Sequence, residues 1–208
     1  MIQKLIERYP SLCSNKADIE KAAAILIGCF EAGGKLLVCG NGGSAADSEH
    51  IVGELMKGFL KKRPLSDEKK KAMKEKSPSL DDKITENLQG GLPAISLPHL
   101  TAFNTAFSND VKSDYIYAQS LFALGKKEDV LMCMSTSGNS ENIVAAAKTA
   151  RALDVKVISI TGKNGGRLKG LSDVCICLDE EETFLIQELC LPVYHCLCAT
   201  VEAYFFEE

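Results

Sequence analysis

The chain has 208 residues, 46% of them hydrophobic, and a formal net charge of −4. That length and apolar content suit one globular domain with a full core, and the acidic balance argues against a general nucleic-acid binder. No apolar run approaches the roughly 20 residues of a spanning helix, and the amphipathic start MIQKLIERYPSLC lacks a signal-peptide core, so a cytoplasmic protein with no membrane contact is expected.

Residues 1–32 read as helical. Leu5, Tyr9 and Leu12 mark one face and Ile19, Ala23, Leu26, Ile27 and Phe30 another, with a break at Pro10 and a stop at Gly33-Gly34. Packing or subunit contact is their expected role. The run LLVC at 36–39 reads as a buried strand, followed by the tight turn Gly40-Asn41-Gly42-Gly43-Ser44 and a helix from near Ala45 to about Phe59. Glycines let this backbone turn sharply and approach a ligand. Ser44 is expected to cap the helix, and the first-turn amides with the helix dipole favour an anion, most often phosphate. Further in, His50 and Glu54 stand at i and i+4 and share a helix face.

Residues 61–91 are charge-rich, with breaks at Pro64 and Pro78. Acids at Asp67, Glu68, Glu75, Asp81 and Asp82 offset the lysines, so a solvated helix and loop is expected rather than a basic lid. A second strand is expected at 92–97, and mostly helix at 98–124 with a break near Asn109-Asp110. A third strand at 129–134 leads into the loop Ser135-Thr136-Ser137-Gly138-Asn139-Ser140 and a helix at 141–153. A fourth strand at 155–160, a fifth at 174–178 and a long helix at 182–206 finish the chain. Strand–turn–helix units in series predict an α/β fold with a parallel sheet covered on both faces, and a ligand beyond the carboxyl ends of its strands.

The G-x-G-x-x-A pattern at 40–45 is half of a dinucleotide fingerprint, but no strand soon after it ends in a ribose-binding acid. Walker A fails for want of Gly-Lys-Ser/Thr. A monophosphate cradle fits better, and the hydroxyls of Ser135, Thr136, Ser137 and Ser140 at a second helix start add to it. The nine cysteines lie mostly inside apolar runs and are expected to be reduced packing residues; Cys175 and Cys177 form C-x-C, not the C-x-x-C of zinc or redox motifs. Of three histidines, His195 has Gln187 two turns before it, near the same face of the last helix; Pro192 between them frees the Glu188 carbonyl. His99 follows Pro98 in a loop and is assigned no role.

Four segments then carry a resemblance: CGNGGSAADSEHIVGEL at 39–55, STSGNSENI at 135–143, ITGKNGG at 160–166 and IQELCLPVYH at 186–195. Their order and spacing resemble the sugar isomerase (SIS) domain and, within it, the phosphoheptose isomerases. The resemblance implies a single SIS domain over 1–208, with N-terminal helices at 1–32 and a charged insertion at 61–91. It implies a three-layer sandwich around a five-stranded parallel sheet, and a homotetramer with active sites between subunits. Phosphate would be held by Ser135, Thr136, Ser137 and Ser140, with Asn41, Gly42, Gly43, Ser44 and Gln187 as further substrate contacts. Glu54 and His195 match the catalytic pair, and His50, Glu54, Gln187 and His195 match the zinc-binding set of metal-bearing members. The reaction implied is aldose–ketose isomerisation of sedoheptulose 7-phosphate to D-glycero-D-manno-heptose 7-phosphate through an enediol, with Glu54 as base and His195 as acid, or the reverse.

Two positions depart from the family pattern: Leu100 and Phe184 stand where members commonly have aspartates. Thr101 and Asn104 are the polar side chains nearest Leu100 in the chain. The departures bear on which sugar phosphate is taken, including an amino-sugar phosphate. Some SIS relatives are non-catalytic phosphosugar-binding or scaffold proteins, one of which associates with a replication initiator; the presence of both Glu54 and His195 favours the enzyme.

Overall fold

The computed structural model describes residues 1–206. Its strands form where the sequence is apolar on both sides of the chain. These are β1 (Leu36–Gly40), β2 (Ala94–Ser96), β3 (Val130–Met134), β4 (Lys156–Thr161) and β5 (Val174–Cys177). They pair entirely in parallel in the order β2-β1-β3-β4-β5. β1 and β3 are buried at every position, as central strands of a doubly covered sheet must be.

The helices are α1 (Ile2–Arg8), α2 (Lys16–Glu31), α3 (Gly43–Met56), α4 (Asp67–Lys76), α5 (Asp82–Asn87), α6 (Thr101–Phe107), α7 (Ile116–Leu124), α8 (Glu141–Ala152) and α9 (Thr183–Phe205). Strand side chains alternate between two cores. Leu36, Val38, Met132, Ile158 and Ile176 meet α1, α2, α3 and α9 on one face. Leu37, Cys39, Leu131, Cys133 and Val157 meet α7 and α8 on the other. The three-layer α/β sandwich expected from the strand–helix alternation is present.

Strand order reverses at β1. The chain leaves β1 through α3 on the first face and leaves β3 through α8 on the second. The carboxyl ends of β1 and β3 therefore splay apart into a crevice, where ligands of such sheets bind.

Several local expectations shift. The tight turn closes early: Gly42 is the N-cap of α3 with φ 55, and Ser44 lies inside the helix, buried and without a capping bond. α3 stops at Met56 because Lys57 is extended. The region 61–91 forms two short helices capped by Ser66 and Asp81, and α4 buries none of its residues, in line with a solvated face. α9 runs through Pro192 unbroken. It also corrects the expectation that no run could span a bilayer: its 23 residues are long and apolar enough by length and composition. Half of that apolar stretch is buried, with Ile186, Val193, Leu197 and Val201 in the first core. All nine cysteines are free thiols and six of them are buried, packing as small apolar residues.

Candidate active site

Two loops meet at the crevice. The first follows β1, where a Cβ on Gly40 would collide with the Ser44 carbonyl; only glycine lets the chain fold back so tightly. The second follows β3, where Gly138 adopts φ 64 and a Cβ would collide with the Gly165 carbonyl. Reciprocal amide hydrogen bonds lock the loops together: Asn41 Nδ2 donates to Asn142 Oδ1 at 2.9 Å and Asn142 Nδ2 to Asn41 Oδ1 at 3.0 Å. The Tyr117 hydroxyl, buried beneath them, donates to the Gly40 carbonyl at 2.8 Å. Burial, with the neighbouring Cys39, pushes that phenol up to about 12, so it remains a donor.

Between the loops lies a cavity of about 270 Å³. Asn41, Ser44, Ser135, Thr136, Ser140 and Gln187 contribute to its wall, and Thr183 at the start of α9 adds another hydroxyl. The Ser135 and Ser140 hydroxyls are 3.1 Å apart. The wall holds no acid or base of its own, as suits an anion held by hydroxyls, amides and two helix N-termini. Ser137 stands outside this wall: its hydroxyl accepts from the Asn139 amide at 3.1 Å and lines a neighbouring pocket with Lys163.

Farther along α3 a second group assembles. His50 and Glu54 project from α3 and His195 from α9, and one donor atom from each lies within 4.8 Å of the others. His50 Nε2 is 3.1 Å from Glu54 Oε1 and 3.3 Å from His195 Nε2. Lys57 Nζ donates to Glu54 Oε2 at 3.1 Å. The Glu54 side chain is 13% exposed and that of His50 43%, so the group opens to solvent on the imidazole side. Burial, reinforced by His50, holds His195 below the ordinary histidine range, which keeps this ring neutral near pH 7.

Two residues that sequence reasoning missed orient this group. The Tyr194 hydroxyl donates to Asp47 Oδ1 at 3.1 Å and lies 3.1 Å from His50 Nδ1. One hydroxyl carries one proton. With that proton given to Asp47, Tyr194 accepts from a protonated His50 Nδ1. His50 Nε2 then faces the Glu54 carboxylate, and the contact is favourable only with a proton or a metal ion between them. Burial pushes Asp47 up, against the hydroxyl it accepts from, and burial with Asp47 pushes Tyr194 up as well. The available signal was the i, i+3 spacing of Asp47 to His50 on the face already assigned to chemistry; nothing local marked Tyr194.

Gln187 sits apart from the three. A Cβ on Gly43 would lie 2.8 Å from its Nε2, which places it at the N-terminal end of α3 beside the cradle. Eight residues separate it from His195, about 12 Å along a helix, while two ligands of one zinc ion each reach it at roughly 2 Å. Within one protomer Gln187 therefore belongs with the cradle, not with His50, Glu54 and His195. Leu100 borders an apolar cavity with Val52 and Ile95, and Phe184 is 56% exposed. Thr101 bonds the His99 carbonyl and Asn104 the Leu97 and Pro98 carbonyls, so both are engaged in the local turn. His99 pairs with Glu49 at 3.3 Å on the surface.

Comparison with known proteins follows the same lines. The SIS domain family matches residues 2–90 and 90–162. The chain is 38% identical over 188 residues to a phosphoheptose isomerase of Thiobacillus denitrificans, covering 89% of this chain and 82% of that protein. It is 34% identical to a phosphoheptose isomerase of Shewanella denitrificans over 100% of this chain and 98% of that one. The solved structure of a phosphoheptose isomerase from Francisella tularensis superposes with a TM-score of 0.74 at 29% identity, covering 96% of this chain and 93% of that chain.

Proposed function

The chain belongs to the SIS domain family, among the phosphoheptose isomerases, and from that premise we propose how it works as an aldose–ketose isomerase of sugar phosphates. The substrate is sedoheptulose 7-phosphate and the product D-glycero-D-manno-heptose 7-phosphate. The observation that carries the mechanism is the meeting of Glu54 and His195, from helices far apart in sequence, within 4.8 Å.

The phosphate occupies the cavity between the two loops, held by Ser135, Thr136 and Ser140 with Asn41, Ser44 and Gln187 beside it. Glu54 takes a proton from C1 of the ketose while His195 gives a proton to the C2 oxygen, forming the enediol. Glu54 then returns a proton to C2 and His195 recovers one from the C1 hydroxyl, which leaves the aldehyde. A neutral imidazole serves both directions without first shedding a charge. Asp47 and Tyr194 hold the His50 ring so that its Nε2 faces the reacting group. Two imidazoles and a carboxylate with donor atoms this close fit zinc, and a zinc ion held by His50, Glu54 and His195 would supply Lewis-acid polarisation of the sugar oxygens.

Site sharing between copies follows from lengths. A seven-carbon phosphosugar spans about 10 Å from phosphorus to C1 when extended, from bonds of roughly 1.5 Å. Ser44 and Glu54 are separated by about 15 Å of helix rise. The cradle of one copy therefore works with the Glu54 and His195 of another, and Gln187 arrives as a fourth ligand from the copy that holds the phosphate. This arrangement supports a homotetramer, and the nine free thiols support a reducing cytoplasm.

The test is an NMR assay with sedoheptulose 7-phosphate, run with and without a chelator beside panels of C6 and amino-sugar phosphates. Heptose 7-phosphate formation at the highest kcat/KM is the expected result; no turnover of any member sinks the reading. Co-expression of Glu54→Gln with a Ser135→Ala, Thr136→Val chain reads the sharing: mixed oligomers regain activity only when cradle and base come from different copies.

A further inference from the structure

We propose that the buried Arg63–Glu202 ion pair is a positioning clamp for the acid–base group, fixing Glu54 against His195. It rests on the isomerase reading above. Arg63 and Glu202 side chains are 0% and 1% exposed, joined Nε to Oε1 at 2.8 Å. The remaining guanidinium donors reach into the last turn of α3: Nη1 to the Leu55 carbonyl at 2.7 Å and Nη2 to the Glu54 carbonyl at 3.0 Å. Carbonyls in a last helical turn have no partner within the helix, and a cation there also complements the helix dipole. The backbone of the catalytic base is thus held by a rigid planar group rather than left to fray.

The other half of the pair reaches the acid. Glu202 lies on α9, two turns after His195. Its carboxylate accepts from the Phe59 and Leu60 amides at 2.8 Å each, and the Phe59 ring lies 5.4 Å from the His195 ring. One ion pair therefore bonds the carbonyl of Glu54 and anchors the residue that packs on His195. Arg63 holds this position with φ 50, a conformation disfavoured for a residue with a Cβ. Stability alone is a poor account of such a pair, since apolar replacements of a buried ion pair are often as stable. Placement of two reacting groups is what the bond pattern achieves.

Arg63→Lys keeps the charge but cannot reach a carboxylate and two carbonyls together. We expect kcat to fall about tenfold or more with KM within about threefold, in a chain that circular dichroism shows folded. Should that chain fail to fold, Phe59→Leu carries the test, because it spares the ion pair and removes only the ring against His195; kcat falls about threefold with KM unchanged. A folded Arg63→Lys chain at wild-type kcat overturns the clamp, and so does Phe59→Leu at wild-type kcat where it stands in. An active wild type with a dead Glu54→Gln in the same assay shows that such a failure belongs to the clamp; an inactive wild type or an active Glu54→Gln overturns the isomerase mechanism beneath it.

Discussion

The two ends of α3 are built differently. At its N-terminus the cradle is made by backbone: two glycine-dependent turns, two helix starts and an amide pair between Asn41 and Asn142 that ties them. Toward its C-terminus the acid–base group is made by side chains that reach across from α3 and α9, each held by a further residue: His50 by Tyr194, Glu54 by Lys57, His195 by Phe59. Backbone sites are fixed once the turn forms. Side-chain sites are only as sharp as the packing behind them, so removing one supporting contact should dull chemistry long before it loosens phosphate.

The largest expected effect separates the two ends outright. Glu54→Gln should lower kcat by about 10³, the scale of a lost general base, with phosphosugar affinity retained; comparable losses of affinity and kcat would contradict the division. Next comes Glu202→Gln, which leaves the Arg63 charge buried and unpaired and should cost about 3–5 kcal/mol at pH 7 by urea unfolding. Burial raises Glu202, but hydrogen bonds from Phe59, Leu60 and Arg63 outweigh it, so its folded value lies below the ordinary 4.5. A carboxylate lowered in the folded state contributes stability fully above its unfolded value, and the contribution drains as pH falls through the folded one. The gap between wild type and Glu202→Gln should therefore narrow below pH 4.5; a gap that stays constant into acid refutes the assignment.

Tyr194→Phe removes the hydroxyl that orients His50 and should weaken zinc affinity about tenfold in equilibrium dialysis, with phosphate binding untouched. An unchanged affinity would mean that the Asp47–Tyr194 pair does not set the ring. The smallest effect belongs to the cradle. Ser140→Ala removes one hydroxyl of several, worth about 1 kcal/mol, and should raise KM severalfold at constant kcat. A fall in kcat instead would place Ser140 with the chemistry.

Legibility in the sequence divides along the same line. β1, β3, β4 and the loops after β1 and β3 were readable because apolar runs followed by glycine and hydroxyl residues are local signals. His50 and Glu54 were readable by helical spacing, and His195 through the family resemblance. Asp47, Asn142, Tyr117 and Thr183 were not singled out, because each acts through a partner supplied by the fold. The Arg63–Glu202 pair spans 139 positions, and no local pattern announces it. The Ser44 cap failed for the opposite reason: the local signal was real, but the turn closed two residues earlier around Gly42.

The parallel course of α3 and α9 has a consequence of its own. The helices touch at Gly43 and Gln187, then at His50 and His195, then through Phe59 and Glu202 just beyond α3, like two racks meshed tooth by tooth. One residue added to either rack between teeth would turn everything after it by about 100° and advance it by about 1.5 Å. Substitutions along these helices alter single teeth, whereas a one-residue insertion throws the whole gear out of mesh.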